Sequence, residues 1–461
     1  MRAHEAGALH GDLGSRGPAW LRTPDDVNAL VPQLWPRNVA RGADGALRVA
    51  GLDVRELAAE YGTPVYVLDE DDLRARCREF RVAFPDEEIF YAGKAFICRA
   101  VVRIIAEEGL HLDVCTGGEL AVALAAGMPP ERIGFHGNNK SVSELRRALD
   151  AGVGRIIVDS FHEIDRLTAL ARDRGVRPRV LVRVTVGVEA HTHEFIATAH
   201  EDQKFGFSLA GGAAAEAALR ILDEDVLELR GLHSHIGSQI FDTSGFEVAA
   251  RRVLGLQAQI RDARGVELPE LDLGGGFGIA YTTQDDPSPP HELAKRLRRI
   301  VEGECESQRL AVPRLSIEPG RAIVGPAVFT LYEVGTVKDV DGIRTYVSVD
   351  GGMSDNIRTA LYDASYSATV ASRASAAEPI LARVVGKHCE AGDVVVKDEF
   401  LPADVQPGDL LAVPGTGAYC RSMASNYNHV PRPPVVAVRD GRARLIVRRE
   451  TEDDLLALDV G

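Results

Sequence analysis

From about residue 62 to 325, short β-rich runs alternate with segments rich in Ala, Leu, Glu and Arg that read as helices. The runs are "EIFYAGKA" (88–95), "LHLDVCT" (110–116), "RIGFHG" (132–137), "RIIVDS" (155–160), "RVLVRVTV" (179–186), "LRGLHSHIG" (229–237), "ELDLGGGF" (270–277) and "RLSIEPGR" (314–321). Between them, patterns such as "GGELAVALAAG" and "SVSELRRALDAG" close on a glycine, where a helix C-terminus favours one. Eight strands alternating with helices predict an α/β fold, a TIM-like (β/α)8 barrel over 62–325. Past residue 326 the pattern changes to strands broken by "DG", "GD" and "PG" turns, which predicts an antiparallel β domain. Residues 36–61, with a hairpin turn expected at "ADGAL", return to that domain, so it spans 36–61 and 326–461. Residues 1–35 read as an N-terminal tail, poorly ordered over its first twenty or so positions.

Length supports two domains, because single cores stop growing at roughly 250 to 300 residues and the chain has 461. A net charge of −15 with no basic block argues against nucleic acid or an anionic membrane as a partner. No apolar run is long enough to span a bilayer, and the first twenty residues lack the apolar segment of a signal peptide, so a cytoplasmic protein is expected. The six cysteines contain no C-x-x-C pair, which speaks against a disulfide framework and a cysteine-rich zinc site.

The run at 88–95 raises a question of its own, since it ends on Lys94 among small residues. Burying an ammonium costs several kcal/mol unless it is paired or neutralised. Lys94 therefore either reaches solvent at the strand end or serves chemistry that needs an amine there. In barrels of this kind chemistry sits at the C-terminal ends of the strands. That is where Lys94, His235, Ser238, Gly274, Gly275, Gly276, Glu318 and Arg321 fall.

Each has an ordinary alternative. The three glycines can cradle an anion with backbone N–H groups, or simply make a tight turn. They are not a dinucleotide fingerprint, because Ile279 stands where the last glycine belongs. Glu318 and Arg321 can form a structural ion pair. His233 and His235 alternate, so one is expected inside the barrel and the other in the helical shell, against a two-histidine metal site. His191, His193 and His200 match no metal motif, and the polar run 191–206 is expected to be a loop over the barrel mouth. Taken together, an amine, a carboxylate, a flat imidazole and an anion cradle are the parts pyridoxal 5'-phosphate needs, with no metal.

In addition, "FYAGKA", "LDVCTGGEL", "HGNNKS", "HEDQKFGF", "HSHIGSQ", "DLGGGFGI", "EPGR", "GGMSDNIRTALY", "CEAGD" and "GAYCRSMASNYN" follow one another in an order that resembles the fold-type III pyridoxal-phosphate decarboxylases. The resemblance runs from about residue 36 to the end and departs from the pattern at Thr359, where proline is expected. It implies that Lys94 is the Schiff-base lysine and that Glu318 pairs with the pyridine nitrogen. It further implies that His235 stacks on the ring and that Ser238, Gly276, Gly320 and Tyr419 hold the phosphate. Cys389 would be the proton donor, and Cys389 and Glu390 would reach the site of a second subunit, which makes a homodimer. Arg321, Arg358, Tyr362, Glu390 and Tyr419 would read the substrate. An arginine at 358 suits a distal carboxylate, so the expected reaction converts meso-2,6-diaminopimelate to L-lysine and carbon dioxide. Decarboxylation of ornithine, arginine or a carboxylated polyamine is the runner-up, and a non-catalytic homologue is the alternative outside enzymes.

Overall fold

The computed structural model describes residues 17–188, 203–341 and 343–461. Two compact units divide them. One comprises Arg74–Gly278 and Pro287–Ile323; the other comprises the described residues up to Leu73, together with Ile279–Asp286 and Val324–Gly461.

The first unit is the barrel. Its strands are β1 (Glu88–Ala92), β2 (His111–Val114), β3 (Ile133–Phe135), β4 (Arg155–Val158), β5 (Arg179–Thr185), β6 (Glu228–His233), β7 (Glu270–Asp272) and β8 (Arg314–Ile317). Each pairs in parallel with the next, and β8 returns to β1, so the sheet closes. The helices between them end where the sequence says they should. Ser141 and Glu144 form a reciprocal cap at the start of Val142–Ala151, and Gly152 ends that helix at φ 74°, a left-handed geometry that costs glycine little. Thr116 caps Gly117–Ala126 from one side only, accepting from the Glu119 amide.

Not all of the barrel interior is apolar. Arg155, at the start of β4, is buried, donates to Asp272 at 2.8 Å and Ser316 at 3.1 Å, and lies 3.7 Å from the centre of the Phe90 ring. Asp272 uses its other oxygen to accept the Gly274 amide at 2.8 Å. The arginine thus braces the carboxylate that shapes the glycine turn after β7.

The second unit carries a sheet in the order Val394–Pro402, Pro379–Val385, Arg344–Val349, Val328–Val340, Val65–Asp69, Val435–Arg439, Arg442–Val447. It is antiparallel except where Arg344–Val349 meets Pro379–Val385 and where Val65–Asp69 meets Val435–Arg439. The expected hairpin is present, pairing Val39–Arg41 with Leu47–Val49 around Gly45 at φ 83°.

Three stretches differ from the sequence reading, one being Ile279–Asp286, expected in the barrel but part of the second unit. Val65–Asp69, expected in the barrel, is buried at every position and pairs with Val328–Val340, because the apolar run Val65–Leu68 reads the same in either sheet. The tail expected to reach residue 35 ends earlier: Leu34 and Trp35 are buried in the second unit's core, with Trp35 6.1 Å from Phe329 between ring centres. Among the described residues no helix is long and apolar enough to cross a membrane.

Candidate active site

Lys94 reaches solvent. Ile89–Ala92 are buried in β1, and the chain then turns tightly, with the Gly93 amide donating to the Asp113 carbonyl at 3.0 Å. A Cβ on Gly93 would stand 2.7 Å from that same oxygen, so only glycine permits the turn that lifts Lys94 out of the wall. Lys94 lines a half-open cavity at the C-terminal end of the barrel.

Four titratable groups meet in the cavity wall. Glu318 follows β8 directly, and its Oε1 lies 3.0 Å from His136 Nε2 and 3.1 Å from His233 Nε2. Asp113, from β2, stands 3.3 Å from the same His136 nitrogen. Burial alone would keep Glu318 protonated, but the two imidazoles outweigh it and hold the carboxyl well below its usual range. His136 shows the counterpart: burial disfavours its charge, yet Glu318 and Asp113 raise it to about 9. Asp113, buried and beside the Glu318 charge, is pushed up to about 7. These close contacts miss the N–H axes, so among the described residues Glu318 Oε1 accepts no in-line hydrogen bond and can receive one from a bound donor. His136, His233 and Glu318 also offer donor atoms within 4.8 Å of one another. Without a bound cation the raised His136 pairs with Glu318 and Asp113 as an ion pair.

His235 is fixed by the turn beside it. The Gly275 amide donates to its Nδ1 at 3.2 Å, which makes that nitrogen an acceptor and leaves the proton on Nε2. Burial first, then the charges of Lys94 and Arg183, hold it far below its usual pKa, so it is a neutral flat ring in the cavity wall. The strand alternation expected to separate His233 from His235 fails because β6 ends at His233. The irregular backbone beyond it brings both rings to the cavity.

The glycine turn is partly used from within. The Gly274 amide binds Asp272 and the Gly275 amide binds His235, leaving Gly276, at φ 99°, with an amide that has no partner among the described residues. A Cβ on Gly275 would lie 2.2 Å from the Glu318 carbonyl oxygen. Close by, Arg321 donates to Ser238 Oγ at 3.0 Å, and Gly320 packs so tightly that a Cβ would sit 2.9 Å from that of Ala92.

The remaining predicted site residues belong to the second unit. Arg358 is not a surface arginine: it is 5 % exposed, its guanidinium lies over the Tyr281 ring at 4.7 Å, and it donates to the Tyr366 hydroxyl. Its Nε is buried without a partner among the described residues. Thr359, in place of the expected proline, donates to the Val395 carbonyl at 3.0 Å. Tyr362 and Tyr419 are half-buried, Tyr419 at φ 62°, while Cys389 and Glu390 are exposed. His191, His193 and His200 lie outside the described residues, as does most of the run 191–206.

Asp113, His136 and Arg183 were not singled out from the sequence. The signal for the first two was there, a polar residue at the end of a barrel strand, the same criterion that picked out Lys94.

Residues 70–325 match the family model described as "Pyridoxal-dependent decarboxylase, pyridoxal binding domain". The diaminopimelate decarboxylase of Mycobacterium tuberculosis is 60% identical over 443 residues, covering 94% of this chain and 98% of that one. That of Mycobacterium leprae is 56% identical over 471 aligned positions and covers both chains completely. Among solved structures, diaminopimelate decarboxylase from M. jannaschii in complex with L-lysine superposes with a TM-score of 0.86 at 31% identity, covering 92% of this chain and 98% of that one. With the barrel, the strand-end constellation and these likenesses in agreement, the chain belongs to the pyridoxal-dependent decarboxylases, in the diaminopimelate decarboxylase family.

Proposed function

We propose that the chain decarboxylates meso-2,6-diaminopimelate to L-lysine, with pyridoxal 5'-phosphate held in the barrel cavity. The observation that carries this reading is the pairing of an accessible Lys94 with a buried, ionised Glu318 whose Oε1 still lacks an in-line donor. Lys94 Nζ would offer the amine for the cofactor's aldehyde, Glu318 would accept from a protonated ring nitrogen, and neutral His235 would supply a flat face for the ring. The Gly276 amide, Ser238, Gly320 and Arg321 would take the phosphate, a role the family pattern also gives Tyr419. Bound there, pyridoxal phosphate supplies the electron sink that makes loss of carbon dioxide feasible.

The other roles fall to the second unit. Arg358 presents a buried guanidinium with an unused Nε–H, suited to gripping a second carboxylate in fork geometry. Ornithine and arginine lack that carboxylate. Tyr362 shapes the same end, and Glu390 accepts the distal ammonium. Cys389 delivers the proton that replaces carbon dioxide, and its exposure, with that of Glu390, suits completion of the site in a second copy.

Purified protein supplied with the cofactor and offered meso-diaminopimelate, ornithine and arginine side by side should form lysine and carbon dioxide from the first alone, and Lys94→Ala should abolish it. Turnover of ornithine or arginine instead would overturn the substrate assignment. A Lys94→Ala and Cys389→Ala pair, each inactive, should regain about a quarter of wild-type activity when co-expressed, since half the dimers then carry one intact site. No recovery would refute the shared site.

A further inference from the structure

Three stretches, "GGMSDN", "GKHCEAGD" and "SNYN", whose Ser354, His388, Asp393 and Asn428 have no role so far, meet around a single carboxylate and a single imidazole in the second unit. Cys389 and Glu390 sit on the eight-residue excursion between strands Pro379–Val385 and Val394–Pro402, whose last paired positions are Val385 and Val394. An excursion of that length between antiparallel strands has no reason of its own to hold one shape. Here it is tied down at both ends. The Gly386 amide donates to the Asp393 carbonyl at 3.0 Å, the Lys387 amide to the Gly351 carbonyl at 2.9 Å, and the Asp393 amide to the Glu390 carbonyl at 3.1 Å.

The side chain of Asp393 makes the central tie. It is 3 % exposed; Oδ1 accepts the Met353 amide at 2.6 Å and Oδ2 accepts the His388 amide at 2.7 Å. The carboxylate therefore joins the residue immediately before Cys389 to a different stretch of chain. Two glycines make room for it. A Cβ on Gly386 would stand 2.3 Å from Asp393 Oδ2, and one on Gly352, at φ 151°, 2.4 Å from Oδ1. His388 makes a second tie: its buried ring places Nε2 2.8 Å from Ser354 Oγ and Nδ1 3.1 Å from Asn428 Oδ1.

We propose that Asp393 and His388 are positioning residues for the Cys389 thiol, the carboxylate clamping the turn to Met353 and the imidazole pinning it between Ser354 and Asn428. Neither touches the reacting atoms. Their effect on turnover rests on the reading of Cys389 as proton donor, whereas their effect on the turn does not. A donor displaced by about 1 Å loses roughly 100-fold in rate, so a loose turn would be felt in kcat rather than in loading of the cofactor.

The test uses holoenzyme carrying Asp393→Asn, with His388→Gln as an independent second variant. In Asp393→Asn one backbone N–H faces an amide NH2 instead of an oxygen. Expected are amide hydrogen exchange at Met353 and His388 at least tenfold faster, a changed rate of Cys389 alkylation by iodoacetamide, and a kcat down roughly 100-fold at unchanged cofactor absorbance. Unchanged exchange and alkylation in both variants would overturn the proposal, as would a fall in kcat that tracks loss of cofactor absorbance. Cys389→Ser separates the two readings: if it turns over like wild type, the proton-donor role fails, while the exchange and alkylation results still decide the clamp.

Discussion

Removing the charge on His136 should flatten the pH dependence of barrel stability above neutrality. His136 is buried and stands 3.0 Å from Glu318 and 3.3 Å from Asp113, which raise it from an ordinary 6.5 to about 9. At about 1.36 kcal/mol for each pH unit, that difference favours the imidazolium by about 3 kcal/mol. The sign follows from linkage. A basic group raised on folding contributes stability that is fully present below its unfolded pKa and is lost as pH climbs through the folded one. For His136 the window is 6.5 to 9. Asp113, pushed up to about 7, shifts stability in the same direction but at lower pH, and has largely lost its proton by pH 7.5. Between pH 7.5 and 10 the apoprotein should therefore lose about 2 kcal/mol that His136→Gln does not lose, because glutamine keeps an amide donor near Glu318 but cannot titrate. Urea unfolding followed by a probe in the barrel, at matched ionic strength across that range, measures the difference. Parallel pH profiles for wild type and variant would show that His136 is neutral in the fold and that Glu318 is held ionised by something else.

Two further changes probe the frame of the site. Arg155→Ala strips the cation from Asp272, which is fully buried, and from Glu270 at 3.6 Å, so a loss of about 3 to 5 kcal/mol is expected in urea unfolding; a loss below about 1 kcal/mol would mean the pair is not what keeps Asp272 in place. Gly275→Ala puts a Cβ 2.2 Å from the Glu318 carbonyl and must push strand ends β7 and β8 apart, so cofactor affinity should collapse while the circular dichroism of the sheet stays intact; an unchanged cofactor titration would exclude Glu318 and the glycine turn as a joint site.

The barrel was legible because its signals are local. Each strand is a short apolar run bounded by helix caps such as Ser141 and Gly152, and eight repeats of that unit leave few architectures to choose from. Where the signal was not local the reading slipped. Val65–Asp69 is apolar up to its last residue, and only its partners, Val328–Val340 and Val435–Arg439, decide which sheet owns it. Trp35 looks like the end of a tail until Phe329, almost three hundred positions away, is seen beside it.

The site follows the same division, and the reason is physical. Lys94 and the glycines stand out in one dimension because a charge in an apolar run and consecutive glycines both violate what a buried strand wants. His136 and Asp113 carry only the weaker signal of a polar residue at a strand end, which is also an ordinary boundary. Their meaning arises only where β2, β3, β6 and β8 converge and four titratable groups share about 3 Å. At that distance Glu318, which burial by itself would neutralise, becomes the most firmly ionised member of the group, and His136 carries the matching charge. A carboxylate fixed in that state is what a protonated ring nitrogen requires. The sequence motif named the residue, but its charge, and hence the strength of the sink it can sustain, belongs to the two imidazoles around it.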